Sequence, residues 1–436
     1  MSTSSWKDFM ESSTIHGLGE IARSKSRAEK VFFIVSLVAC NFFSFYGIYQ
    51  IVVQYMARPV ATSYFINEAE SLQLPDVTIC PFNRLDKNYL ERNHISDDLA
   101  KYIEWAFFFV NPKYDFVDFK VGKMARAGRG NLHHKLDRTL QRLNLTFEQL
   151  IFSASVPCEA LVKSCEQQYN AFNCCQHSTP ILTSMGQCYR MSGRNQIGSG
   201  FGMGMSIMLS LPLARFMPSE NMLMNDGVMI KLTEPKKGYE FDAIFVPAGV
   251  HALMQLRATL LDFMDDPPRY TCHKENPSEH YAPLLCYQRC ILSSAHRTCS
   301  CRYIGLPPDN DTIVDNTAEL PACKPYELIT CIYPVLGKTY QEDPLYGLKC
   351  KEKCQSRCNY WQYHATVSYA KYPSKTLSMS YFNGTETQRN TQIKAIQSRD
   401  IILELFYDKL EYTLIKHFSS MTADQFIANI GKIMSR

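Results

Sequence analysis

Net charge, a second long apolar run and a catalytic constellation are what this sequence lacks, and each absence excludes something. Forty-six Lys and Arg against forty-two Asp and Glu leave only +4 over 436 residues, too balanced to suggest a nucleic-acid partner. There is no Ser/His/Asp order, no paired-carboxylate spacing and no His-Glu-x-x-His motif. Hydrolase chemistry therefore has no support, and no enzyme is expected. The paired Cys-x2-Cys spacing of structural zinc is missing too, so no metal or other cofactor is expected. No internal repeat is visible. What the chain has instead is 46% hydrophobic residues and seventeen cysteines. That many cysteines do not belong in a reducing cytosol.

One segment can span a membrane. Val31 to Met56 (VFFIVSLVACNFFSFYGIYQIVVQYM) carries no charge over twenty-six residues, and a bilayer core needs about 20 apolar residues in a helix. Tyr46, Tyr49 and Tyr55 crowd its later end, as an interfacial belt does. Arg23, Lys25, Arg27 and Lys30 precede it, while only Arg58 follows closely. The positive-inside rule then makes residues 1–30 cytosolic, 31–56 the transmembrane helix, and everything after Met56 extracellular. A cleaved signal peptide would need a shorter apolar core, nearer the start, with a small-residue cleavage site. None of these is present.

The cysteines agree with that topology. Cys40 lies inside the apolar run as a small hydrophobe. The other sixteen, Cys80 to Cys358, all fall on the outer side, an even number that allows up to eight disulfides. Three sequons share that side, at Asn144, Asn310 and Asn383, and are the expected glycosylation sites. Residues 57–420 are expected to form a Cys-rich extracellular domain.

Within that domain the pattern is mixed α/β. Asp115–Val121 and Gly227–Leu232 alternate like half-buried strands, and Gly238–Leu256 reads as two strands broken at Pro247-Ala-Gly249. Asp98–Val110 and Thr139–Phe152 read as helices, although the aromatic run Phe107-Phe108-Phe109 fits helix or strand equally, and Ile401–Phe418 reads as a long strand. Gly198, Gly200, Gly202 and Gly204 predict a hairpin or tight turn rather than a phosphate loop, having no βαβ context. His133-His134 reads as a solvated surface pair. Cys286-x3-Cys290 and Cys350-x3-Cys354-x3-Cys358 form two runs of matching spacing, which suggests rungs stapling two neighbouring segments.

With this ladder on the page, the sequence resembles the degenerin / epithelial sodium channel family. Ser13-Thr14-Ile15-His16-Gly17 followed by Ser24-Lys25-Ser26-Arg27 is similar to the cytosolic His-Gly gating motif. Leu74-Pro-Asp-Val-Thr-Ile-Cys80-Pro-Phe-Asn83 is similar to the entry into the ectodomain, and Gly186-Gln-Cys188-Tyr189 to its partner segment. Pro247-Ala-Gly249 resembles a palm turn, and Val367–Ser374 the strand leading back to the membrane. The resemblance runs from near the N-terminus almost to the end.

The resemblance implies an α/β membrane protein: one N-terminal transmembrane helix and a large, disulfide-rich, hand-like extracellular domain of finger, thumb and palm. It implies a homo- or heterotrimer with homologous subunits in the plasma membrane, conducting sodium ions and blocked by amiloride. The stimulus would be an extracellular peptide, protons, or force from the matrix. His16 and Gly17 would tune opening. The implied disulfides are Cys80–Cys188, Cys158–Cys165, Cys272–Cys358, Cys286–Cys354, Cys290–Cys350, Cys299–Cys331 and Cys301–Cys323, leaving Cys174 and Cys175 over.

Two departures stand out. Met421–Ile430 matches the approach to the family's second, pore-lining helix, yet nothing after Phe418 approaches about 20 apolar residues. Residues 421–436 are therefore expected to be a truncated approach to an absent helix. The Trp usual before the first ladder cysteine is also missing, and Tyr270 stands nearby in its place. Asp265 and Asp266 read as a proton-sensing pair or as a solvated loop. The expected function is a sodium channel subunit, this chain being a shortened isoform or an incompletely read gene. The alternatives are a non-conducting regulatory or dominant-negative subunit, and a single-pass receptor or adhesion ectodomain.

Overall fold

The fold is described from a computed structural model, which covers residues 3–13, 17–107, 129–217, 226–235, 243–267, 270–274, 281–306, 320–374, 376 and 382–434. The strand expected at Asp115–Val121, His16 and the Asn310 sequon lie outside the described residues. The chain divides into two compact units. One comprises Met1–Ser63 with Lys416–Arg436, the other Tyr64–Ile415.

The first unit is built on helices α1 (Thr3–Ser12), α2 (Leu18–Arg23) and α3 (Arg27–Met56). Helix α3 holds the whole apolar run. At its start the Ser26 N–H donates to Glu29 Oε2 at 3.4 Å, satisfying a backbone group that the helix leaves unpaired. A terminal helix, Ala423–Met434, packs along α3. The chain enters and leaves this unit side by side. Ser63 Oγ donates to the Lys416 carbonyl at 3.4 Å, and the Ser420 N–H to the Pro59 carbonyl at 2.8 Å.

The second unit has two principal sheets and a helical layer. In the seven-stranded sheet, β13 (Asn359–Lys371), β12 (Val250–Asp262), β14 (Asp400–Ser419), β9 (Met205–Ser210), β4 (Val162–Gln167) and β5 (Asn170–Phe172) lie in that order, with β1 (Val60–Glu68) on β14. Strand β12 alternates as a sheet with one buried face must, sinking Ala252, Met254, Leu256 and Ala258. They pack with Ile401, Leu403 and Leu405 of β14. The five-stranded sheet has the order β11 (Ala243–Pro247), β10 (Gly227–Thr233), β3 (Asp76–Pro81), β7 (Gly186–Met191) and β6 (Ser178–Thr183), and β2 (Leu72–Gln73) pairs separately with β8 (Asn195–Gln196). The break expected at Pro247-Ala-Gly249 is there, between β11 and β12. Gly249 has φ +78°, and a Cβ on it would collide with the Gln397 carbonyl. The glycines from 198 to 204 form the tight turn into β9, Gly200 and Gly202 having φ +88° and +82°.

The helical layer contains α4 (Lys87–Arg92), α5 (Asp97–Glu104), α6 (Arg129–Leu143), α7 (Phe147–Ala154), α8 (Cys158–Leu161) and α9 (Pro283–Cys299). Leu99, Ile103, Leu136, Leu150, Leu292 and Leu328 share its core. The helix expected over Thr139–Phe152 is in fact two. Asn144 takes a left-handed φ of 51°, and Thr146 then caps α7 by accepting the Gln149 N–H at 3.2 Å. A capping residue inside an apparently continuous apolar period marks a boundary that periodicity alone misses.

Candidate functional site

The first unit holds the membrane-competent surface. Among the described residues α3 is the one helix long and apolar enough to cross a bilayer, by length and composition. None of its most apolar stretch is buried inside the protein. A helix apolar all round and mostly uncovered by its own chain suits a lipid solvent. The terminal helix covers one side only. Phe426 stacks on Tyr55 with ring centroids 4.3 Å apart, and a Cβ on Gly47 would come within 3.0 Å of Ile433 Cδ1. Phe426 and Ile433, seven residues apart, thus descend α3 from Tyr55 to Gly47, eight residues apart, in antiparallel contact. Gly47 was not singled out in sequence; it lies at the contact, facing the Ile433 side chain of the terminal helix.

Gly17 precedes α2 with φ +92°, a conformation that costs an L-residue about 1–2 kcal/mol. A Cβ there would stand 3.5 Å from Leu37 of α3. Gly17 therefore sits beside α3 seven residues beyond Lys30, the last charge before the apolar run.

The second unit is stapled by eight disulfides. Cys80–Cys188 joins β3 to β7, closing a separation of 108 residues, worth about 4–5 kcal/mol in the chain-entropy account. Cys286 and Cys290 lie one turn apart on α9 and bond to Cys354 and Cys350, with Cα separations of 5.7 and 5.6 Å. The x3 spacing puts Cys286 and Cys290 on one helix face, and their partners run in reverse order, so two antiparallel segments are joined rung by rung. Cys272–Cys358, Cys299–Cys331 and Cys301–Cys323 complete the ladder.

The implied pair Cys158–Cys165 is corrected. Cys158 bonds to Cys175 and Cys165 to Cys174, so no cysteine is left over in this unit. The reason is a hairpin: β4 turns at Gln168-Tyr169 and returns as β5, with Cys165 opposite Phe172. Antiparallel return places later residues against earlier ones, which nests one bridge inside the other. Both turn residues have positive φ, 51° and 63°, as a two-residue hairpin turn demands, yet neither is the usual Asn or Gly. That absence hid the hairpin. Of the candidate metal ligands, Cys301 and Cys323 lie near Glu327, but their sulfurs are joined to each other and offer no thiolate.

The polar groups that sequence left open have partners. Asp265 accepts an ion pair from Lys274 at 3.0 Å, and that ammonium holds its carboxyl below the usual range. It therefore stays charged near neutral pH, which weakens its candidacy as a proton sensor. His133 is not simply solvated. Its Nε2 lies 3.5 Å from Asp137, which also receives Lys324 Nζ at 2.7 Å, while Tyr102 Oη lies 3.4 Å from His133 Nδ1. Between β12 and β14 a cavity of about 310 Å3 is lined by Arg257, Asp408, Lys409 and Glu411 among others. His251 Nε2 meets Glu404 at 3.0 Å across the same two strands. Asn144 and Asn383 are both exposed, each two residues before a Thr that caps a helix.

Comparison with known proteins agrees with this layout. The bile acid-sensitive ion channel of Mus musculus is 22% identical over 447 aligned positions, covering 98% of this chain and 82% of its own. Acid-sensing ion channel 1A of Danio rerio is 21% identical, covering 97% and 82%. Acid-sensing ion channel 2 of Homo sapiens is 24% identical over 59% of this chain and 49% of its own. The pattern of the amiloride-sensitive sodium channel family matches residues 9–435. With that match over nearly its whole length, the chain belongs to the amiloride-sensitive sodium channel family.

Proposed function

We propose that this chain is a subunit of a trimeric, amiloride-sensitive sodium channel in the plasma membrane, opened by a ligand or by force on its extracellular domain. The match of the family pattern to residues 9–435, coinciding with one uncovered apolar helix and a domain of eight disulfides, carries the reading. Residues 1–30 lie in the cytosol, 31–56 cross the membrane and 57–420 lie outside, because four basic residues cluster before the apolar run against Arg58 alone behind it, and the disulfides need an oxidising compartment. His16 and Gly17 tune opening. Gly17 is suited to this by its place beside Leu37 of α3. The terminal helix, antiparallel on α3, leads toward the pore.

Voltage clamp of cells expressing the chain tests this. A sodium current blocked by amiloride is the expected result, from the chain alone or with a homologous subunit. Suppression of a partner's current without any new one identifies the non-conducting regulatory subunit instead. No effect on any current, with the chain at the cell surface, overturns both and leaves the receptor reading.

A further inference from the structure

The N-terminal helix α1 carries two aromatic side chains that are largely exposed among the described residues. In α1, Trp6 and Phe9 are 58% and 61% exposed and lie three residues apart, hence on one side of the helix. Their rings meet edge to face at 6.2 Å. Two large aromatic side chains held together in the open are costly in water. The rest of the first unit fixes their level. α1 packs on α2, and α2 on α3. The connection from Ser12 to Leu18 is short, so α1 and α2 form a hairpin. A Cβ on Gly19 would lie 3.8 Å from the Met10 carbonyl. Trp6, one turn before Met10, then comes level with Arg23, one turn after Gly19. Arg23 opens the basic group Arg23, Lys25, Arg27 and Lys30, which marks the start of the apolar run. The exposed pair therefore stands where the apolar surface of α3 begins.

We propose that α1 is an interfacial helix, with Trp6 and Phe9 seated in the headgroup region of the cytosolic leaflet. The occupant of this face is lipid, because the face stands at the level where the apolar surface of α3 begins, and lipid is the solvent that such a surface takes. Trp and Phe are the side chains that amphipathic interfacial helices bury there. Anionic headgroups fit the adjacent four basic residues. The helix would anchor the segment carrying His16 and Gly17 at a defined depth, so that a displacement of α3 is opposed at this joint. This rests on the membrane reading of α3.

The test uses the full chain in vesicles of zwitterionic and anionic phospholipid. Trp6 is the one tryptophan of the first unit, the others being Trp105 and Trp361. The difference in emission between the wild-type chain and Trp6→Phe therefore isolates it. Lipids brominated near the headgroup should quench this component more than lipids brominated near the chain ends. Aqueous acrylamide should quench it less than it quenches free tryptophan. A second variant, Phe9→Trp with Trp6→Phe, should show the same order. Quenching by acrylamide alone, or mainly by the chain-end bromines, overturns the proposal. Alkaline carbonate extraction of the same vesicles separates the two claims. Release of the chain defeats the membrane reading and this one together, while retention with an unquenched Trp6 defeats this one alone.

Discussion

Single residues carry the conformational demands of this protein, and Gly17 carries the sharpest. Its φ of +92° leaves it little substitute. Gly17→Ala should cost about 1–2 kcal/mol of that conformation. If Gly17 tunes opening, current should fall at unchanged surface expression; an unchanged current would remove it from gating. Buried tyrosines make a second demand. Tyr189 donates to the Val156 carbonyl at 2.6 Å, and burial pushes its phenol up to about 12. Tyr102, Tyr303 and Tyr407 are raised in the same direction by the same cause. The fold prefers the neutral phenol, so this stabilisation is complete below the ordinary tyrosine value near 10. It is lost as pH rises toward about 12. The denaturation midpoint should hold from about pH 7 to 9 and drop near pH 11. A midpoint flat to pH 12 would contradict it.

At the level of elements, the informative case is the small hairpin of β4 and β5. Peptide mapping under non-reducing conditions should link Cys158 to Cys175 and Cys165 to Cys174. A peptide joining Cys158 to Cys165 would restore the family pattern and require a different turn. Strand and helix types were largely legible from period and punctuation. β10, β11, β12 and β14 stand where alternation puts them, and the Pro247–Gly249 break separates two strands as its residues suggest. The failures had local causes. The helix over Thr139–Phe152 hid its boundary because Leu145 and Phe147 keep an apolar period across a cap. The hairpin at Gln168-Tyr169 gave no turn signal at all.

For the whole molecule, topology is the testable matter. If Tyr64–Ile415 lies outside the cell, Asn144 and Asn383, both exposed, should carry glycans. Asn144→Gln and Asn383→Gln should each abolish one glycosidase-sensitive increment of mass, and the double variant two. Loss of neither would place this unit on the cytosolic side and contradict the disulfides too. The candidate site was legible only in part. The ladder could be read because x3 spacing is one helical turn, so residue spacing translates into facing cysteines. The lysine partners of Asp265 and Asp137 could not be read. Lys274 lies nine residues along the chain, but Lys324 lies 187 residues from Asp137, and no local pattern announces such a meeting.

Sequence by itself determined the apolar span, its flanking charge and the cysteine ladder, because each depends on neighbours within a few turns or on composition that water and lipid sort directly. Only the tertiary structure decided which cysteines close the β4–β5 hairpin, where the terminal helix meets Gly47, and that Trp6 and Phe9 are largely exposed on α1. Those outcomes depend on which surfaces meet after the chain has folded back on itself, and a linear order of residues does not hold that information.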